Sequence, residues 1–426
     1  MPIDFTLAPE QLELQATARE IAQRVLAGAD ASTRGLATPH ERFAATRPLY
    51  EQLVEAGLLR RLIPAPLGGT GTGVLDFALL AEELIAVDAS VSLTLFATAL
   101  GFTPVLLAGT PEQQERLLAP FLTGSGAPLA AFGFSEPQGS ANFADPSPGA
   151  GLQTRAVREG DEWVITGAKQ WVSNASGWDG AGADLTCIVA RTDLDAPPAE
   201  SLVVIAVPRP AKGLSLVGAF DTIGHRAHLT PQVRYEGVRV PAENALGEPG
   251  SGLGLTEMTF GGTAAVVGAF SVGLMRAAFD EALRFARTER RAGPVPIIDH
   301  QAVGDLLSDV KTRIEAVRSL TWRAAHALDS GSPAALELAV QTKVFGSETA
   351  VQAIYDLMRA VGIQSYGHEL PFGRLLQDAL AYPLFDGGNM GVRRRQLHAM
   401  LRDPSYDPLA TVRGSGQDAS GGSVIP

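Results

Sequence analysis

Apolar positions follow the helical period over roughly the first 125 residues, alternate between 128 and 240, and return to the helical period from 252 to about 402. The first helical stretch predicts a helix over 9–27, with Leu12, Leu14, Ala18, Ile21, Ala22 and Val25 along one face. A second is predicted over 43–59. The proline- and glycine-rich stretch 63–73 can only be loop. Residues 75–108 are apolar almost all round, with Glu82 and Glu83 among their few charges, the texture of a helix pair buried in a bundle. Thr110, Pro111 and Gln113 read as the cap, first position and third position of another helix.

The alternating part predicts strands over 162–166, 185–190, 202–207 and 233–240, hence a small β domain or barrel. Beyond it, helices are expected over 268–287, 300–328, 334–361 and 389–401. Val303, Leu306, Leu307, Val310, Ile314 and Val317 mark the second of these, and Leu338, Val340, Val344 and Val351 the third. The chain therefore reads as α+β in three domains: helical over 1–127, β over 128–245 and a helical bundle over 246–405. A Gly/Ser-rich tail over 406–426 is expected to be disordered. No internal repeat is evident.

Composition narrows the function. The chain has 426 residues, 46% hydrophobic and 19% charged, with a net charge of −12, so no footprint for nucleic acid or an anionic membrane appears. Cys187 is the only cysteine, which excludes an internal disulfide and fits a reducing compartment; its strand-like surroundings read as a buried structural thiol. The seven histidines are scattered, so no metal site is expected. The N-terminus lacks a signal-type pattern and the apolar stretches read as shorter than a membrane span, so a cytoplasmic protein is expected.

The chemistry concentrates in 381–396. An apolar run delivers Asp386, the one acid in that stretch, into Gly387-Gly388, and Arg393, Arg394 and Arg395 follow. The glycines leave room for a flat ligand or an unusual backbone angle. Two readings compete for Asp386: a helix N-cap, which aspartate favours, or a general base held out of water. Arg393 lies two helical turns on and could reach back to it, whereas Arg394 and Arg395 read as a solvated basic helix end.

Other segments tie this stretch to a family. Phe132-Gly-Phe-Ser-Glu-Pro-Gln-Gly-Ser140 and Gly167-Ala-Lys-Gln-Trp171-Val-Ser173 occur upstream, and Thr288-Glu-Arg-Arg-Ala-Gly293, His300-Gln301 and Arg359-Ala-Val-Gly-Ile363 downstream. Each alone is an ordinary turn, a buried aromatic or a solvated charge. In this order they resemble the acyl-CoA dehydrogenase superfamily of flavoproteins along nearly the whole chain, and no GxGxxG follows a strand to suggest a Rossmann mode. The resemblance implies a helical domain, a middle β-barrel domain and a C-terminal four-helix bundle. It implies FAD lined by Phe132, Gly133, Phe134, Ser135, Ser140, Ala141, Asn142, Trp171, Val172 and Ser173, with Leu384, Phe385, Asp386, Gly387 and Gly388 beside it. Arg291, His300 and Gln301 would reach the diphosphate and ribityl region, and Arg359, Ala360, Val361, Gly362 and Ile363 the far end of the cofactor. FAD contacts from two subunits are implied, hence a homo-oligomer, a tetramer.

The main acyl-CoA dehydrogenases carry glutamate at or near position 386, before Gly-Thr. Here aspartate precedes two glycines, and Ser140-Ala-Asn142 stands where Ser-Asp is common. Both departures, with Ser176-Gly-Trp-Asp179, Pro64-Ala-Pro-Leu-Gly-Gly69 and Phe43-Ala-Ala-Thr-Arg-Pro48, are similar to the nitroalkane oxidase subgroup. That likeness implies a nitroalkane and O2 as substrates, an aldehyde or ketone, nitrite and hydrogen peroxide as products, and Asp386 as the base anchored by Arg393. It implies Ser173 near flavin N5 and Thr263 close to the base; a hydroxyl bonding back to its own helix is an equal reading for Thr263. One alternative stays open at this point, an acyl-CoA or acyl-carrier dehydrogenase using Asp386; a third reading, a flavin-poor structural subunit of a hetero-oligomer, is argued against by the flavin-matching positions and the carboxylate, which are all present.

Overall fold

Several helices in the N-terminal third begin at a side-chain cap. Thr38 Oγ1 accepts from the Glu41 backbone N–H at 3.2 Å and Glu41 Oε2 accepts from the Thr38 N–H at 2.9 Å, so this helix runs Pro39–Glu55 and starts ahead of residue 43. Thr110 and Gln113 make the expected reciprocal pair and open the helix Pro111–Leu122. The first helix, Pro9–Leu26, buries the anticipated face except for Leu12, which is exposed. In this computed structural model, residues 5–147, 149–248 and 250–413 are described.

The apolar pair is Val74–Ile85 and Ala89–Ala108, separated by Asp88, which accepts from the Val91 N–H at 2.8 Å. Burial pushes the Asp88 carboxyl up to about 6. Ala89–Ala108 and the later helix Gly252–Thr288 are long and apolar enough, by length and composition, to cross a membrane, contrary to the expectation that every apolar stretch is too short. Their most apolar windows are 67% and 78% buried inside the fold, as in core helices.

Among the described residues eight strands form one sheet: β1 Ala130–Gly133, β2 Arg155–Glu159, β3 Glu162–Lys169, β4 Leu185–Arg191, β5 Leu202–Pro208, β6 Leu214–Ala219, β7 Pro231–Pro241 and β8 Ala245–Leu246. Their order is β6-β7-β3-β2-β4-β5-β8, with β1 parallel to β4. Strand β4 is buried on every residue, and burial raises its Cys187 thiol well above the usual range. Strands β1, β2, β6 and β8 were not anticipated, because each has fewer than seven residues and lacks a long alternation.

The C-terminal bundle consists of Gly252–Thr288, Gln301–Asp329, Ala335–Val361 and Phe372–Ala381. The first starts well before 268. Glycines and threonines blur its period there, and the Thr256 and Thr259 hydroxyls bond back to carbonyls one turn earlier. The fourth, unanticipated, buries Phe372, Leu375 and Ala379 on one stripe. Of the tail expected to be disordered, 414–426 lie outside the described residues; before them come the Tyr406 hydroxyl, which donates to Glu337 at 2.8 Å, and a short helix Ala410–Arg413.

Candidate active site

The segment after Phe372–Ala381 turns sharply at Asp386 and Gly387, both in the left-handed region at φ 51° and 67°. A non-glycine residue there carries a cost of about 1–2 kcal/mol, so the position is held by its surroundings. At Gly387 a Cβ would lie 3.1 Å from Arg393 Nε, which restricts the position to glycine twice over. The Asn389 N–H closes the turn on the Pro383 carbonyl at 2.8 Å. One π-helical turn, Asn389–Arg393, follows and continues as the α-helix Arg394–Arg402.

Asp386 does not cap this helix. Gly388 occupies the cap position, and the carboxylate folds back over the turn. Its Oδ2 accepts from Arg393 Nη2 at 2.9 Å, and Arg393 Nε donates to the Asp386 carbonyl at 2.9 Å. Arg393 also donates to the Phe260 carbonyl and to Gln396 Oε1, and it is fully buried. Asp386 Oδ1 accepts from Thr263 Oγ1 at 2.7 Å. The same hydroxyl lies 3.2 Å from the Phe260 carbonyl, so both readings of Thr263 have a geometric basis. With one proton to give, the carboxylate is the stronger acceptor. Two of about four acceptor positions on Asp386 are thus occupied, and its side chain is 6% exposed. The arrangement is an aimed carboxylate that still has lone pairs for a proton from carbon.

Lys343 lies behind the turn and was missed in the sequence. Its Nζ donates to the Tyr382 carbonyl and to Asn389 Oδ1, both at 2.8 Å. Burial pushes its pKa down to about 7, against the opposing charge of Asp386. The signal was a lysine on the buried stripe of Leu338, Thr342, Gly346 and Ser347.

The segments expected to line a flavin divide into two groups. Phe132 and Gly133 end β1, and the Phe132 and Phe134 rings pack on Phe260 at 5.2 and 5.0 Å. Ser140 Oγ accepts from the Glu136 N–H. Arg395 donates to Asn142 Oδ1 at 2.9 Å and to the Ala141 carbonyl at 2.7 Å, and Arg394 chelates Glu348, so neither is merely a solvated helix end. The Gln170 N–H bonds the Ser135 carbonyl, setting Trp171, Val172 and Ser173 beside this segment. Ser173 Oγ lies 2.8 Å from His228 Nε2, and His228 Nδ1 lies 3.1 Å from Thr94 Oγ1. Burial lowers His228 to about 3, so its ring is neutral. Trp171 is 49% exposed and stacks on Phe220, unlike an ordinary core aromatic. Leu384 is exposed, Phe385 packs on Tyr382, and Gly388 ends the turn. Phe132 and Phe134 reach the Asp386 turn through Phe260, whose carbonyl Arg393 also holds, and Ala141 and Asn142 reach it through Arg395.

The second group sits at the far end of the bundle. Arg291 donates to the Val361 carbonyl, and a Cβ on Gly362, at φ 78°, would strike the Arg291 guanidinium. Arg359 pairs with Asp356, Ala360 is buried and Ile363 exposed. His300 precedes the helix Gln301–Asp329, and Gln301 bonds Asp305. The helical rise alone puts Thr288, just before Arg291, about 37 Å from Thr263.

The near group suits a flavin. A groove between 138–142 and 149–153 is lined by the amides of Gln138, Asn142 and Gln153 and by glycines that let backbone approach closely. Separately from that lining, Trp171 presents a half-exposed ring stacked on Phe220.

Family profiles for the acyl-CoA dehydrogenase N-terminal, middle and C-terminal domains match residues 8–125, 131–238 and 250–401. Nitroalkane oxidase of Podospora anserina is 44% identical, over 97% of this chain and 100% of that protein. A solved nitroalkane oxidase, an active-site aspartate-to-asparagine variant crystallised with 1-nitrooctane, superposes with a TM-score of 0.94 at 41% identity, covering 97% of this chain and all of that one. A further structure, with the same score, identity and coverage, concerns the roles of an arginine and an aspartate, seven residues apart, in the reaction of the flavoprotein nitroalkane oxidase. Asp386 and Arg393 stand at that same spacing. The chain belongs to the nitroalkane oxidase family, within the acyl-CoA dehydrogenase superfamily of flavoproteins.

Proposed function

We propose that the protein is an FAD-dependent nitroalkane oxidase in which Asp386 removes the α-proton. The observation that carries the reading is the Asp386 carboxylate, fixed by Arg393 and Thr263 yet with acceptor capacity left. A nitro group makes the neighbouring C–H acidic, because the nitronate spreads its charge over two oxygens. A carboxylate held near that carbon is a sufficient base. An acyl thioester is a weaker carbon acid and depends more on concerted hydride loss. Aspartate is one methylene shorter than glutamate, so the substrate carbon must come closer to the backbone.

Arg393 fixes the position of the acid, Thr263 fixes its rotation, and the Phe132, Phe134 and Phe260 rings exclude water from one side. Bound FAD supplies the two-electron acceptor. For a primary substrate the balance is one nitroalkane, one O2 and one water, giving aldehyde, nitrous acid (as nitrite) and hydrogen peroxide. Phe132, Gly133, Phe134, Ser135, Ser140, Ala141, Asn142, Trp171, Val172 and Ser173 would hold the flavin half. Arg291, His300, Gln301 and 359–363 belong to the end of the helix Gly252–Thr288 away from Thr263 and Asp386. We assign them to the cofactor of a second copy, in a homotetramer; the exposure of Ile363 (85%) and Tyr366 (82%) supports a partner at that end. A cytoplasmic location completes the proposal.

The test supplies nitroethane with O2 and follows nitrite and peroxide, then supplies a short acyl-CoA with an electron acceptor. Stoichiometric nitrite and peroxide, with no acyl-CoA turnover, are expected. Acyl-CoA turnover without nitrite from any nitroalkane would make the protein a dehydrogenase that uses Asp386.

A further inference from the structure

The acid and its arginine belong to one short segment, so their pairing fixes Asp386 relative to Arg393 but not relative to the rest of the protein. The whole unit could shift as a body. Two long helices tie it down, beside the bonds that Arg395, two residues on, gives Ala141 and Asn142. Gly252–Thr288 reaches it through Thr263 and the Phe260 carbonyl. Ala335–Val361 reaches it through Lys343, Ser347 and Glu348.

The second tie has an unusual form. The Lys343 ammonium donates to the Tyr382 carbonyl just before the turn and to Asn389 Oδ1 just after it, each at 2.8 Å. Asn389 Nδ2 in turn donates to Ser347 Oγ and Glu348 Oε1, both at 3.0 Å, which orients the amide with its oxygen toward Lys343. Lys343 is fully buried, as is Asn389. A buried ammonium bound only to a carbonyl and an amide oxygen is costly, and a bundle gains nothing from it that a methionine would not supply. Its placement makes sense at the turn: one buried donor grips both stems of a Gly-Gly loop in which Asp386 is held at φ 51°.

We propose that Lys343 is a positioning residue for the proton-transfer step, clamping the two stems of the 382–389 turn so that the Asp386 carboxylate stays aimed at the substrate carbon. The proposal rests on the reading of Asp386 as the base. Lys343 touches neither substrate nor cofactor. It acts through the loop, and misplacement of a reacting group by about 1 Å can cost about 10²-fold in rate.

The test compares two substrates in the FAD-loaded enzyme: neutral nitroethane, which needs the base, and preformed ethyl nitronate, which does not. Lys343→Met keeps the length of the side chain and removes the clamp. It is expected to lower kcat/KM for neutral nitroethane by about 10²-fold while FAD content and nitronate turnover stay near those of the unaltered enzyme. Asn389→Ala removes one acceptor and leaves Lys343 in place. It should shift the ratio of the two activities the same way by a smaller factor, and it serves if Lys343→Met does not fold. Parallel loss on both substrates, or no change on either, overturns the clamp. Asp386→Asn, measured alongside, separates the two ideas. If it still consumes neutral nitroethane at the full rate, the base assignment fails and the clamp with it. If it loses that activity while both clamp variants keep theirs, the clamp alone fails.

Discussion

Asp386 and the pair Glu82 and Glu83 look alike in the sequence: acids isolated in apolar stretches. Their surroundings in the fold are opposite. Glu83 accepts from Arg19 Nε and Nη2 and from Arg276 Nη1 and Nη2, at 2.6–3.0 Å, so both oxygens are saturated. Glu82 takes three more donors from Arg276 and Arg318. Burial acts to raise the Glu83 carboxyl, yet its arginine bonds hold it below the usual range. These acids join the helices Pro9–Leu26, Val74–Ile85, Gly252–Thr288 and Gln301–Asp329, and the four donors on Glu83 and three on Glu82 leave little or no acceptor capacity for a substrate proton. Asp386 has one arginine and one hydroxyl. The number of donors already spent on a carboxylate, more than its burial, separates a structural acid from a base.

The largest stability effect is expected at Glu83. Glu83→Gln leaves two arginines incompletely paired in the core and should cost about 3–5 kcal/mol, read as a lower denaturation midpoint, while turnover per bound FAD changes little. A variant that kept its midpoint and lost activity would erase the distinction drawn here. Asp88 sharpens it from the other side, being a buried acid with one backbone donor and, among the described residues, no cation in contact. Its native pKa of about 6 lies above the ordinary 3.8, so its charge costs stability as pH rises between these values, and the full cost applies above about 6. Asp88→Asn keeps the cap and should gain up to about 3 kcal/mol at pH 8, a gain that vanishes near pH 4. A pH-independent difference in midpoint would contradict it. Smallest is Thr263→Ala, which frees one Asp386 oxygen to rotate; about a tenfold loss in kcat/KM for neutral nitroethane is expected, the worth of one hydrogen bond to a charged group. An unchanged value would leave back-bonding as the whole role of Thr263.

The three-part order and the stretch around Asp386 were legible in the sequence because long helices and repeated alternation leave periods that a few exceptions do not hide. The start of Gly252–Thr288 was not, since glycine and threonine carry no apolar signal while serving as good packing residues. Arg395 looked like solvated charge because its partners, Ala141 and Asn142, are some 250 positions away in the chain. Lys343 is hidden for the opposite reason: a lysine on an apolar stripe looks like an exception to the stripe, and only the fold shows it buried with partners at the turn. The cap reading of Asp386 failed because two successive left-handed residues fold its side chain back over the turn.

The central claim is tested most directly by Asp386→Asn, which keeps the shape of the side chain and removes the base. With FAD bound and the fold intact, turnover of neutral nitroethane should fall by about 10³-fold, while oxidation of preformed ethyl nitronate continues near the normal rate. Equal loss on both substrates, or full activity on the neutral one, would contradict the assignment of Asp386 as the base.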